Sequence, residues 1–121
     1  MPNSIRISPP NSLLFVSDRA GGTVPDIVRG KWIWSTSSCI SFGCLMEQDG
    51  PTDVTMGLAH DVDPGVLPAF VGTLSTPNHT VVVSTAEGKT VLEAQVSGPN
   101  TFVRIWVNRP QEPDKVIIGL G

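Results

Sequence analysis

Between His79 and Arg109 apolar and polar positions alternate so regularly that a strand pairing can be written from the letters. Val81-Val82-Val83 and Thr90-Val91-Leu92 flank Ala86-Glu87-Gly88-Lys89, and glycine suits the positive φ of a tight hairpin turn. With Ala86 opposite Lys89, Val83 meets Leu92, Val81 meets Ala94 and His79 meets Val96. On the other face Val82, Ser84 and Thr80 meet Glu93, Val91 and Gln95. One side is mostly apolar and the other mixed, as a half-buried antiparallel pair requires. Ser97-Gly98-Pro99-Asn100 turns the chain again, and Thr101 to Arg109 is predicted to return as a third strand of one meander.

Short apolar runs recur on both sides of this region. Strands are predicted over Ser12 to Asp18, Lys31 to Met46, Thr52 to Leu58, Phe70 to Leu74 and Lys115 to Leu120, the last with Val116, Ile118 and Leu120 on one side. Within Lys31 to Met46, the even positions Trp32, Trp34, Ile40, Phe42 and Cys44 are assigned to the core, and Ser35-Thr36-Ser37-Ser38 to a bend or bulge. Helical periodicity free of breakers is lacking; the best candidate is one turn over Val24 to Arg29, capped by Thr23 and stopped by Gly30. About seven or eight strands at this spacing predict an all-β, antiparallel β-sandwich with a jelly-roll or Ig-like layout and at most one short helical turn.

Composition bounds this picture. The 121 residues suit a single domain over 1–121, long enough to bury its own core. Eleven prolines and twelve glycines are spread among the apolar runs, so they punctuate turns. A net charge of −3 with eight Lys and Arg gives no cationic footprint for nucleic acid or for an acidic membrane surface. The start, Met1 to Arg6, lacks the basic and apolar pattern of a leader, and no run reaches the roughly 20 apolar residues of a membrane span. A cytoplasmic protein without a cofactor is the expectation. Cys39 and Cys44 are five residues apart, on opposite faces of an extended segment and roughly 16 Å apart, so two free buried thiols are expected.

Three constellations could carry chemistry. Glu47, Asp49 and Asp53 surround Gly50-Pro51, and His60, Asp61 and Asp63 precede Pro64-Gly65. Glu47, Asp49, Asp61 and Asp63 are candidate oxygen ligands for a hard cation, although Asp and Gly are also what solvated turns use. A thiol nucleophile, Cys39 or Cys44, with His60 as base defines an enzymatic alternative, but no nucleophile elbow or phosphate loop accompanies it. In the third meander strand, Val103, Ile105 and Val107 alternate with Phe102, Arg104 and Trp106. If the β-branched side faces the core, these last three form an aromatic stripe around a cation, the residue types of binding hot spots. The alternative puts Trp106 in the core with Phe102. Asn78-His79-Thr80 fits a glycosylation acceptor, which carries little weight without a leader.

Ile40-Ser41-Phe42 in the long strand, the hairpin of Val81 to Val96, and a terminal strand pair holding Trp106 and Val116-Ile117-Ile118 occur in an order that resembles the competence-associated nuclease inhibitors of bacteria. The resemblance covers about two thirds of the chain. It implies a small all-β protein that binds and restrains a protein partner, and it transfers no individual residue. The expected function is therefore non-enzymatic protein contact, with a foreign partner or as a homodimer, anchored by Phe102, Arg104 and Trp106. Binding of a small ligand or cation is the second reading.

Overall fold

The computed structural model describes residues 2–121. Ten strands form two five-stranded sheets: β1 (Asn3–Ile7), β2 (Leu13–Asp18), β3 (Ile33–Ser35), β4 (Cys39–Gly43), β5 (Thr52–Leu58), β6 (Phe70–Ser75), β7 (Thr80–Thr85), β8 (Thr90–Gln95), β9 (Asn100–Val107) and β10 (Lys115–Leu120). One sheet runs β1-β5-β10-β9-β6 and the other β3-β4-β2-β7-β8. The fold is all-β, as the alternation predicted. All pairings are antiparallel except β5 with β10, which run parallel from Asp53–Lys115 to Leu58–Leu120. This departs from a wholly antiparallel sandwich.

The inner faces of both sheets meet in one apolar cluster. Leu14 and Val16 of β2, Ile40 and Phe42 of β4, and Val81 and Val83 of β7 face Val54 and Met56 of β5, Val103 and Ile105 of β9, and Val116 and Ile118 of β10. Each fully buried side chain of this size contributes about 1.5–3 kcal/mol relative to exposure. The period-two faces assigned to β7 and β10 reappear in this core, as does the first of the two orientations offered for β9.

Several expectations change. The hairpin keeps the predicted pairs Val83–Leu92, Val82–Glu93, Val81–Ala94 and Thr80–Gln95, but its register shifts at Ser84, which pairs with Thr90 rather than Val91. The connection is longer than two residues: Gly88 N–H bonds Thr85 C=O at 2.9 Å, Thr85 N–H bonds Lys89 C=O at 2.9 Å, and Gly88 takes φ 84°. That is a type I turn closed by a glycine bulge, which the Thr85 hydroxyl supports by accepting from Glu87 and Lys89 N–H. The predicted strand over Lys31 to Met46 is a hairpin of β3 and β4. Thr36 Oγ1 accepts from Cys39 N–H at 3.1 Å and Ser38 N–H at 3.3 Å, so the hydroxyl patch folds back as a turn. Parity then breaks: Ile33 pairs with Phe42 on the core side, while Trp34 pairs with Ser41 on the outer side.

Residues 24–29 form no helix. Thr23 is instead tied to the β3–β4 turn, its N–H donating to Ser38 Oγ and its C=O accepting from Thr36 Oγ1. Val28 C=O accepts from Trp34 Nε1 at 3.0 Å, so this segment lies over the outer face of β3 and β4. The short helix, α1, is at Ala59–Val62 instead, and single 3₁₀ turns occupy Pro10–Ser12 and Glu47–Asp49. β1, where Ile5 and Ile7 alternate with Ser4 and Arg6, lies outside the strands predicted from the sequence.

The largest difference concerns the meander. β9 does not pair with β8; Ser97 to Pro99 carries the chain from one sheet to the other. The β6–β7 connection makes the reverse crossing beside it. Thr76, buried where β6 ends, donates its N–H to Pro99 C=O at 2.7 Å, and its hydroxyl lies 2.8 Å from Gly98 C=O and 3.0 Å from Thr101 Oγ1. Asp18, at the end of β2, closes the same corner through Asn78.

Candidate functional site

β9 turns Val103 and Ile105 inward, which places Phe102, Arg104 and Trp106 together on the outer face of its sheet. Their surroundings differ. Trp106 is 4% exposed and lies beneath the segment that joins β5 to β6. Its Nε1–H donates to Val66 C=O at 2.9 Å. α1 sits over the neighbouring glycines of β5 and β10: a Cβ on Gly119 would come within 2.9 Å of Trp106 Cζ3 and 3.2 Å of Ala59 Cα. The tryptophan therefore anchors a covering strap, residues 59–69, to the sheet.

Phe102 remains 39% exposed, with the Arg104 guanidinium carbon 5.1 Å from its ring centroid. Such a cation–π contact at an exposed site is worth about 0.5–1 kcal/mol. Val71 of edge strand β6 lies across from Arg104 and is also exposed. On the strap latched by Trp106, Leu67 is 93% exposed. The outer face along β6 and β9 thus offers Val71 and Phe102 beside one cation that makes no salt bridge among the described residues, with Leu67 exposed on the strap. Leu67 and Val71 escaped the sequence reading. Leu67 stands between Gly65 and Pro68 with no periodicity to mark it, and exposure of Val71 follows from β6 being an edge, a long-range property.

The four candidate cation ligands are not gathered. Glu47 and Asp49 precede β5, whereas Asp61 and Asp63 follow it, and a strand of seven residues separates them by roughly 20 Å. Asp63 Oδ1 accepts the Gly65 N–H at 2.7 Å in a turn, and Asp61 lies 3.2 Å from His60 Nε2. Among the described residues no three His, Cys, Asp or Glu side chains are placed to hold a metal ion. Asp53 instead pairs with Arg6 across β1 and β5 at 2.8 Å, and the hydrogen bond from Arg6 holds its carboxyl below the usual range.

The thiols are sealed. Cys44 joins the core cluster, and Cys39 is buried on the opposite side of β4, as the odd spacing predicted. Burial pushes both thiols up, Cys44 to about 12, where the nearby Thr52 hydroxyl offsets it slightly. Thr52 Oγ1 makes no well-aligned hydrogen bond of its own. His60 is exposed on α1, against the other sheet. The thiolate is the reactive form, so neither cysteine should react with a thiol reagent at neutral pH in the folded protein, and both should react once denaturant is added. Mass spectrometry after brief alkylation reads this directly; rapid modification of native Cys39 or Cys44 would contradict it.

A half-open cleft of about 390 Å³ lies at one end between the sheets, lined by Lys31, Trp32, Phe42, Phe70, Val107 and Pro113. Its tryptophan lies flat on β4, since a Cβ on Gly43 would fall 2.6 Å from Trp32 Cε3.

No family model matches the chain, and no curated protein matches it. Two solved structures do. One is ComJ from Bacillus subtilis, described as inhibitor of the DNA degrading activity of NucA: TM-score 0.65 and 11% identity, over 99% of this chain and 93% of that one. Another is the product of crocagin biosynthetic gene J: TM-score 0.55 and 13% identity, over 98% of this chain and 94% of that one. At these identities the likeness is one of fold, and it agrees with the order of strands that resembled the competence-associated nuclease inhibitors: this all-β chain is built as ComJ is built.

Proposed function

We propose that this chain is a non-enzymatic protein that acts by contact with a protein partner, of the inhibitor, immunity or regulatory kind, through the outer face of β6 and β9. The observation that carries the reading is Phe102 under the Arg104 guanidinium with Val71 across from it, an apolar patch around an unpaired cation. Aromatic side chains and arginine are enriched at protein interfaces, and exposed apolar patches mark contact sites. The shared fold with a nuclease inhibitor supports the same class. Trp106 enters as the latch behind the patch and not as a contact of its own. No helix among the described residues is long and apolar enough to cross a membrane.

A DNA-degrading nuclease, the kind of protein that ComJ is described as inhibiting, is the first partner to test. DNA degradation should fall in proportion to added protein until one equivalent is reached. Phe102→Asp, with an unchanged melting temperature, should raise the amount required at least about tenfold, as loss of a buried aromatic anchor does. Full nuclease activity in excess protein refutes nuclease inhibition. Light scattering decides the homodimer form of the reading: a dimer that Phe102→Asp dissolves would assign the face to a second copy.

A further inference from the structure

The four strand edges of the two sheets are treated differently. β1 carries Arg6 and lies against β8, where Asn3 Nδ2 donates to Glu93 C=O at 3.0 Å. β3 is three residues long. β6 is six residues, Phe-Val-Gly-Thr-Leu-Ser, with neither charge nor proline, the usual devices by which natural edges avoid pairing. Thr76 N–H bonds Pro99 C=O, and β6 keeps constant register with β9 from Ser75–Asn100 to Phe70–Ile105. Alternation along that ladder directs the backbone groups of Gly72 and Leu74 toward β9 and those of Val71 and Thr73 away from it. The outward N–H of Ser75 is taken by Ser37 C=O at 2.8 Å, which leaves Val71 to Thr73 as the open stretch.

Two features flank this stretch. On its inner side is the cleft between Phe70 and Trp32, large enough for one bulky side chain, with Lys31 among its walls. On its outer side is Arg104, across from Val71. Neither cation makes a salt bridge among the described residues.

We propose that the Val71–Thr73 edge receives an extended segment of the protein partner as an added strand, seating one large apolar side chain in the Trp32–Phe70 cleft and a carboxylate toward Arg104. The proposal rests on the protein-contact reading and specifies how the partner is held. A peptide backbone is the ligand because it repeats N–H and C=O at strand pitch, main-chain bonds supplying affinity and alternate side chains specificity. A second copy of this chain fits less well: β6 contains no carboxylate, so two β6 edges paired antiparallel would juxtapose their cationic flanks uncompensated.

The probe is a synthetic peptide, acetyl-Thr-Val-Asp-Leu-Thr-Val-amide, in which Asp and Leu point to opposite faces of a strand, with a counterpart N-methylated at alternate residues. Saturable binding that shifts the amide resonances of Val71 and Thr73 is expected. The methylated peptide should bind at least about tenfold more weakly, since alternate N–H groups carry the pairing. Thr73→Pro removes an outward N–H that β9 does not use, and Val71→Lys charges the edge without touching the backbone; each should weaken the peptide by a similar factor. Equal affinity for both peptides, shifts confined elsewhere, or no saturation at about millimolar peptide overturns the proposal. So does a dimer of the isolated chain that Thr73→Pro dissolves, which would seat a second copy at the edge. The assignment of the contact to the outer face fails separately, if Phe102→Asp restrains the nuclease as well as the parent chain does; loss of restraint in Phe102→Asp but not in Thr73→Pro or Val71→Lys would keep that assignment and overturn the added strand.

Discussion

Replacement of Asp18 by alanine is expected to destabilise the protein by about 2–3 kcal/mol, because it removes a buried carboxylate that accepts three N–H donors and so ties two exposed segments together. Asp18 is 1% exposed. Its Oδ1 accepts the Asn78 N–H at 2.8 Å, and its Oδ2 accepts Asn78 Nδ2 at 2.7 Å and Ala20 N–H at 2.9 Å. Burial by itself would push this carboxyl up, but the Asn78 amide, the two backbone N–H groups and the charge of Arg19 together hold it below the ordinary carboxylate range. The sign of the pH dependence follows. A folded value below the unfolded one, about 3.9 for an aspartate, gives a contribution that is complete above the unfolded value and is lost as pH falls through the folded one. Asp18→Asn should be nearly as damaging as alanine, since its NH₂ meets donors where the carboxylate offered acceptors, and should flatten this acid limb. Urea unfolding at about pH 7 and about pH 3 measures both effects. Equal stability of Asp18→Asn and the parent chain at neutral pH would show that the corner does not depend on the charge.

The same corner explains which parts of the fold were legible in the sequence. Alternation is a local signal, and it identified β5 and β10 with their bounds and the inward residues of β7 and β10. For β9 it left two orientations open, and the structure adopts the one in which Val103 and Ile105 face inward and Phe102, Arg104 and Trp106 share the outer face. Which sheet a strand joins is a different kind of fact. β8 and β9 look continuous as a meander because Ser97 to Asn100 is a good turn in either case; the crossing is decided by Thr76 and Asp18, whose partners lie 22 and 60 residues away. The long run from Lys31 to Met46 failed for a local reason. Its hydroxyls were read as a bend when Thr36 was able to close a full turn, and one reversal moved Trp34 from the inner face to the outer one. The parallel union of β5 with β10 has no sequence signature of its own, since both strands read as apolar runs whichever way they pair. Arg104 was put forward as a contact residue from its type. Exposure of Val71 across from it, and of Leu67 on the strap, became visible only when the sheet edge and the strap were in place.

Trp106 distinguishes a latch from an anchor, and its replacement should be among the costliest in the chain. Truncating a buried tryptophan to alanine costs about 3–5 kcal/mol, part transfer and part cavity. Here it also removes the donor to Val66 C=O and the ring that α1 covers, so the strap loses its main attachment to the sheet. Trp106→Ala should therefore melt well below the parent chain and be cut by protease within residues 63–69 before the sheets open, as a locally released segment is. Trp106→Phe keeps most of the ring and forfeits the hydrogen bond, a loss of about 1 kcal/mol, with the strap still protected. Phe102→Ser, at an exposed position, should leave stability within about 0.5 kcal/mol while weakening partner contact. If Trp106→Ala were to retain the parent's stability and strap protection, the strap would be held by something other than the tryptophan. If it retained both and still lost the partner, Trp106 would be a contact residue that becomes accessible on binding. The contrast between Trp106 and Phe102, four residues apart on one strand face, therefore separates the part of the stripe that builds the surface from the part that uses it.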